Sequence, residues 1–228
     1  MEEFEIVVQT PPVKRRMRRA LWTAAVLAAI LLAVLSFFFG TEAWNLARHG
    51  IATVYSGIDF DHDLIDDYRD MMLGARAYVR TKPVYDDSYV SGGYPEKGRG
   101  VCTDVIWKAF RAAGYDFKAM VDADIAKNPS AYPLPGGMPD PNIDFRRVVN
   151  LQVFFERNAE AVTLDAGQAE QWQPGDIVFY HGHVAMVSDR RNAEGVPFII
   201  HHTGRGAFEE DALTYQKIIG HYRWVGEK

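Results

Sequence analysis

A single cysteine and two distant histidines could together form a catalytic site. Cys102 is the only cysteine among the 228 residues, and it lies where a glycine-rich segment meets a helix-forming one. The first turn of a helix carries unpaired N–H groups and a partial positive charge, which lower the pKa of a thiol. A nucleophilic cysteine also needs a base, usually a histidine, held by a third polar group. The pattern predicts Cys102 as nucleophile, His183 as base and His201 as the orienting group.

The segments that must position these residues predict an α+β domain, with helices first and an antiparallel sheet afterwards. Apolar residues recur at helical spacing in four segments: 42–56, 62–80, 102–113 and 150–157. Asp61 or Asp63 is expected to cap the start of the second helix. Residues 86–101 and 128–144 are rich in glycine and proline, which predicts loops there.

The last third of the chain predicts four strands. Two apolar runs, 177–180 and 183–188, are parted by a His181-Gly182 pair, which is typical of a tight hairpin. Two further strands are expected within VPFIIHHTG and GHYRWVG. If neighbouring strands are antiparallel, His183 and His201 can share a face. A shift of one residue in register would bring His202 there instead.

The N-terminal segment predicts a membrane anchor. Residues 20–39 contain only two polar side chains, and the basic run KRRMRR comes just before them. About 20 apolar residues match the thickness of a bilayer, and basic residues favour the cytoplasmic side. We expect a cytoplasmic tail over 1–19, a transmembrane anchor over 20–40 in the inner membrane, and a domain outside the cytoplasm over 41–228. A cleaved signal peptide is the rival interpretation, although its apolar region would be shorter.

Composition excludes several classes of protein. The formal charge of −5 divides into +2 for residues 1–19 and −7 for the rest, so the globular part is acidic. Nucleic-acid binding, which needs a basic face, is not expected. A single cysteine rules out an internal disulfide framework. The slightly negative mean hydropathy excludes a polytopic membrane protein.

Three blocks of sequence carry a family resemblance. They are YVSGGYPEKGRGVCTD, PGDIVFY followed by HVAMVSD, and FIIHH. In this order they resemble the motifs of NlpC-type cell-wall peptidases, which have a papain-like fold. A closer resemblance covers roughly residues 62–225 and includes YDDSY, GVCTDVIWKAFRAAG, PDPNID-x-RRVVNL and GHYRW. It points to a bacterial family known as domain of unknown function 1287, itself usually placed among the NlpC-type folds.

The resemblance implies roles for individual residues. It makes Cys102 the nucleophile, His183 the base and His201 the third member, and it matches Tyr89 to a tyrosine that hydrogen-bonds near the thiol. The family's D-C-S-G becomes V-C-T-D here, so the aspartate, Asp104, lies on the other side of the cysteine. The predicted substrate-binding or oxyanion residues are Tyr89, Asp104, Arg146 and Arg147.

Other interpretations of these residues stay open at this stage. Histidines 181, 183, 201 and 202 could bind zinc together with Cys102. Aspartates 86, 87, 140 and 144 could bind calcium, although aspartates in turns usually cap backbone N–H groups. Arg146 and Arg147 could form an ion pair with Asp144, or one of them could clamp a substrate carboxylate. We expect no metal and no organic cofactor.

The function expected from the sequence is therefore that of an anchored cysteine hydrolase. Its substrate would be an amide bond, in peptidoglycan peptides or a related compound outside the cytoplasmic membrane. One alternative is a papain-like acyltransferase or thioesterase that acts on lipid. Another is a binding or scaffold domain whose cysteine has no catalytic role.

Overall fold

The computed structural model describes residues 13–226, without the side chains of 13–16, 18 and 33–43. It divides into two compact units between Trp44 and Asn45. The first helix, α1, covers Val13–Ala47. Within the described residues, no helix is both long and apolar enough to cross a membrane. Residues 1–12 of the predicted tail and the side chains of 33–40 in the predicted anchor lie outside the described part of the chain, and the anchor over 20–40 stays a prediction.

The second unit contains four further helices. They are α2 (Asp67–Arg80), α3 (Cys102–Ala112), α4 (Phe117–Lys127) and α5 (Val148–Asn158). The helices predicted over 102–113 and 150–157 are confirmed as α3 and α5. Sequence reasoning missed α4, whose start is capped by the side chain of Asp116 on the N–H of Ala119. The predicted loop 128–144 is confirmed except for two short 3₁₀ turns at 129–131 and 135–137.

Six strands form one antiparallel sheet. They are β3 (Glu160–Ala161), β4 (Ile177–Tyr180), β5 (His183–Arg191), β6 (Pro197–Thr203), β7 (Gly206–Glu210) and β8 (Gly220–Arg223), in the spatial order β3-β8-β4-β5-β6-β7. The predicted hairpin is confirmed: Tyr180 pairs with His183, and Gly182 has a positive φ of 69° in the turn. Two short strands pair in parallel: β1 (Val84–Tyr85) precedes the predicted loop 86–101, whereas β2 (Arg99–Gly100) lies within it, so the loop prediction is wrong for those two residues. The α+β class is therefore confirmed.

Both faces of the sheet are buried. On one face, apolar side chains such as Val184, Met186 and Ile200 pack with the core formed by α2, α3 and α5. On the other face, Ala185 and Ile199 pack in a second, smaller core around Trp172 and Leu213. Because successive side chains of a strand point to opposite faces, each residue of β5 and β6 can be assigned to one of these two sides.

Two predictions about the start of the second unit are wrong. The helix expected over 42–56 ends at Ala47, and Gly50 and Gly57 adopt positive φ angles of 71° and 70° beyond it. The next helix begins at Asp67 rather than near residue 62. Asp66, not Asp61 or Asp63, caps it through a hydrogen bond from the N–H of Tyr68. The intervening acidic residues form a loop, because their carboxylates accept backbone N–H groups of the same segment.

Candidate active site

Cys102 is the first residue of α3, a helix that packs against α2 and β5. Its sulfur is within reach of three backbone N–H groups, those of Val184, Thr103 and Cys102 itself, each of which favours the thiolate. The residue is nevertheless buried, with only 6% of its surface exposed. The prediction that Cys102 lies at a helix N-terminus is confirmed, and its closest strand neighbour follows His183 directly.

His183, His201 and Glu210 form a chain of hydrogen-bonded side chains. Nε2 of His183 lies 3.0 Å from Nδ1 of His201, and Nε2 of His201 lies 2.9 Å from Oε1 of Glu210. The register of the strands explains this arrangement. Met186 pairs with Ile200 and His201 with Phe208, so the three polar residues lie on diagonals of one face of the sheet. His202 belongs to the opposite face, so of the two adjacent histidines it is His201 that contacts His183.

The hydrogen-bond chain determines which nitrogen of His183 is free to act as a base. An ionised carboxylate only accepts, so His201 donates from Nε2 to Glu210 and its Nδ1 becomes an acceptor. His183 must then donate from Nε2 to that acceptor. This leaves the lone pair of a neutral His183 on Nδ1, the nitrogen that His201 does not use. A general base needs such a lone pair.

The thiol and the imidazole of His183 lie at the same end of β5, because the sulfur is within reach of the N–H of Val184, the residue after His183. Cys102 belongs to the core on the helix side, whereas His183 shares its face with Ala185. Tyr215 lies beside both groups. Its ring centroid is 6.0 Å from those of His183 and His201, and a negative charge on Cys102 raises the pKa of its hydroxyl. No hydrogen bond joins the thiol to His183 in the part of the chain that the structure describes.

Burial favours the neutral forms of the Cys102 thiol and of the His183 imidazole. It raises the pKa of the Cys102 thiol to about 11, against the effect of the three N–H groups. It also lowers the pKa of His183 to about 4, assisted by the neighbouring His201 and His202. The N–H groups at the helix start lower the thiol pKa, as expected from the sequence, but desolvation of the charged sulfur outweighs them.

Asp104 and Arg146 form a buried ion pair, and this corrects their predicted role in substrate binding. Nε and Nη2 of Arg146 lie 3.1 and 3.0 Å from the two carboxylate oxygens of Asp104. Asp104 is fully buried, and it also accepts the N–H of Val101 and the indole N–H of Trp107. Because these partners occupy both side chains, the pair holds the first turn of α3 in place rather than contacting a ligand.

Tyr89 and Arg147 lie elsewhere than predicted. The hydroxyl of Tyr89 donates to Asp140, 3.1 Å away, and accepts from Asn142 in the surface loop, so it does not serve the thiol. Arg147 forms an ion pair with Asp144 at 3.2 Å, as one of the two interpretations expected. The loop geometry explains both contacts, since Asp140 and Asp144 cap neighbouring backbone N–H groups.

The fold does not bring together the residues of either metal site that the sequence left open, the histidine–cysteine zinc site or the calcium site of Asp86, Asp87, Asp140 and Asp144. In residues 13–226, apart from the undescribed side chains, the only group of acidic, histidine or cysteine side chains that could hold an ion is Asp59, Asp61 and Asp63. Of the proposed zinc ligands, His181 is exposed in the hairpin turn, and His202 contacts the hydroxyl of Tyr78 at 2.9 Å.

Sequence reasoning missed Glu210 and Tyr215. Strand β7 is short, and the sequence feature that could have indicated the position of Glu210 is the alternation of side chains in a strand. It places the adjacent Glu209 and Glu210 on opposite faces of the sheet. Glu209 faces α2, where it and Asp189 bind Arg76, with an Nη2 to Glu209 Oε1 distance of 2.5 Å. Glu210 then faces His201. The ion-pair cluster thereby sets the orientation of β7 and the position of the Glu210 carboxylate.

Comparison with known proteins places the chain in a family. The family model described as Domain of unknown function (DUF1287) matches residues 72–224, a range that contains Cys102, His183, His201 and Glu210. The chain belongs to this family. It is also similar to the "Uncharacterized protein YijF" of Escherichia coli (strain K12), with 38% identity over 162 residues, which are 66% of this chain and 78% of YijF. No solved structure matches.

Proposed function

We propose that this DUF1287 protein is a cysteine hydrolase that cleaves an amide bond. The observation that carries the proposal is the chain of hydrogen bonds from Glu210 through His201 to His183, beside a cysteine at the start of a helix. These hydrogen bonds leave the free lone pair of His183 on Nδ1, and they stabilise a positive charge on its ring once that nitrogen takes a proton. The reaction requires neither a metal nor an organic cofactor.

The proposed reaction begins with a neutral thiol and a neutral imidazole. As the Cys102 sulfur attacks the amide carbonyl carbon, the thiol proton passes to Nδ1 of His183. The N–H of Cys102 at the helix start donates to the carbonyl oxygen as it becomes negatively charged. His183 then returns the proton to the departing amine, which leaves a thioester. A water molecule, deprotonated by His183, hydrolyses the thioester to an acid and regenerates the thiol.

The proposed substrate is a peptidoglycan peptide or a related amide outside the cytoplasmic membrane. Two features of the sequence support this choice. The resemblance to NlpC-type peptidases points to cell-wall peptides, and the apolar residues 20–39 after a basic run are typical of an anchor with the N-terminus in the cytoplasm. The proposal therefore includes attachment to the inner membrane through residues 20–40 and no nucleic-acid partner.

The test is to incubate the full chain, purified in detergent, with peptidoglycan and to identify the fragments by mass spectrometry. We expect new carboxyl and amine termini with the wild type and none with Cys102→Ala. Glu210→Gln should slow their formation. Absence of new termini with the wild type would rule out the proposed substrate. Equal cleavage by wild type and Cys102→Ala would rule out the cysteine mechanism.

A second candidate function is a binding domain in which Cys102 is not catalytic. Burial of the sulfur and the raised pKa of the thiol favour it. The two candidates differ in alkylation by iodoacetamide, measured from pH 6 to 10. A hydrolase should show alkylation that falls when His183→Ala removes the base. A binding domain should show the same slow rate in both proteins, rising only near the thiol pKa.

A further inference from the structure

The loop before α2 gathers three carboxylates. Oxygen atoms of Asp59, Asp61 and Asp63 all lie within 4.8 Å of one another. The loop is folded around the first of them: the two oxygens of Asp59 accept the N–H groups of Asp63 and Leu64, each at 3.0 Å. Asp63 in turn accepts the N–H of Ile65 at 2.9 Å. This segment precedes residues 72–224, the range that the family model matches.

A fourth carboxylate, that of Asp70 in the first turn of α2, lies near this group but outside the 4.8 Å that the other three share. Asp70 is buried, with 6% of its surface exposed, and its Oδ2 has no hydrogen-bond partner. After desolvation, the largest influences on Asp70 are the negative charges of Asp63, Asp61, Asp67 and Asp59, so the group faces the loop. A buried, unpartnered carboxylate oxygen beside other carboxylates is costly unless the group takes up a proton or a cation is shared among them.

The spacing of these residues matches a known calcium-binding pattern. In EF-hand loops, positions 1, 3, 5 and 12 supply side-chain oxygens, position 7 a backbone carbonyl, and position 6 is a glycine at a sharp turn. Counting from Asp59 as position 1, Asp61, Asp63 and Asp70 take positions 3, 5 and 12, and α2 is the helix that follows the loop.

Position 6 supports the same assignment. Leu64 takes the place of the glycine, yet it adopts a positive φ of 74° and is 92% exposed. A leucine rarely adopts this conformation, and here no core contact accounts for it. The backbone therefore turns where an EF-hand loop turns. The departures from the pattern are this leucine, an aspartate in place of glutamate at position 12, and a non-helical segment where an EF-hand has its first helix.

We propose that residues 59–70 form a calcium site, with carboxylate oxygens of Asp59, Asp61, Asp63 and Asp70 as ligands. Calcium fits better than magnesium, because a site made almost entirely of protein oxygens in a flexible loop suits the larger ion, whereas magnesium keeps its water. The bound ion would tie the loop to the first turn of α2. That helix carries Tyr78, which contacts His202. The inference is independent of the proposed hydrolase activity.

The experiment measures thermal unfolding of the full chain in detergent, after treatment with EGTA and then with added CaCl₂ or MgCl₂. At a calcium concentration of 100 times Kd we expect the Tm to rise by roughly 5–10 °C. Magnesium at the same concentration should raise the Tm by less. Isothermal titration calorimetry with CaCl₂ should show one site per chain. No calcium-dependent rise in Tm and no heat of binding would overturn the proposal.

Two variants separate a metal site from a merely acidic loop. Asp61→Ala removes an exposed ligand and should abolish the calcium-induced rise, whereas Glu194→Ala, which removes an exposed carboxylate in another turn, should retain it. Asp70→Asn should raise the Tm without calcium, because it removes a buried charge, and should abolish the response to calcium. A response of unchanged size in both Asp61→Ala and Asp70→Asn would refute the assignment of the ligands.

Discussion

Replacement of Arg146 by methionine should destabilise the whole domain, because it leaves the carboxylate of Asp104 charged, buried and without its cation. The two side chains are 3% and 0% exposed and share two hydrogen bonds. Loss of one partner of a buried ion pair costs about 3–5 kcal/mol. For a domain of this size, each kcal/mol lowers the Tm by about 2–4 °C, so the expected fall is roughly 6–20 °C.

The measurement is urea and thermal unfolding of the full chain, followed by circular dichroism. Arg147→Met is a comparison at the next position: its guanidinium is partly exposed and makes one contact with Asp144, which keeps hydrogen bonds from Asp140 and Asn150, so its loss should cost less than the loss of Arg146. The double variant Asp104→Asn/Arg146→Met should recover part of the lost stability, since no charge is left buried while an acceptor for Val101 remains.

The result also distinguishes a structural role from substrate binding. If Arg146 holds the start of α3, stability and any activity should fall together. If instead Arg146→Met loses no more stability than Arg147→Met, the reasoning from the buried pair is wrong. Loss of activity at an unchanged Tm would then return Arg146 to the substrate-binding set that the sequence predicted.

Three further predictions concern the site. Glu210→Gln should reduce the rate of the proposed hydrolysis by about tenfold or more, measured by fragment release, because His201 loses the carboxylate that sets its tautomer and an amide can also donate. His183 binds a proton less readily when folded (pKa about 4) than when unfolded, so its contribution to stability is present above about pH 6.5 and is lost as the pH falls to 4. Between pH 7 and 4, the unfolding free energy of His183→Gln should therefore decrease by about 3 kcal/mol less than that of the wild type. An unchanged profile would contradict the burial argument. Gly100→Ala should lower the Tm more than Gly98→Ala, because only at Gly100 would the new Cβ approach Tyr78, within 2.4 Å of its hydroxyl.

Local patterns in the sequence were sufficient for much of the fold. The apolar spacing after Cys102 predicted α3, since side chains three and four positions apart share a helix face. The His181-Gly182 pair predicted the hairpin, because glycine adopts the positive φ that the turn requires. The same reasoning failed at residues 48–66, where apolar spacing resembles a helix but aspartates bind the backbone of their own segment instead.

The sequence by itself determined that Cys102 begins a helix and that His183 and His201 lie in strands, because these properties depend on neighbours along the chain. Only the tertiary structure decided three others. The register of β6 and β7 brings Glu210 to His201, burial raises the pKa of the thiol, and folding joins Arg146 to Asp104 across 42 residues. Each of these three features depends on groups that are distant in sequence and on the exclusion of water. Neither the long-range contacts nor the exclusion of water can be read from residues that are neighbours along the chain.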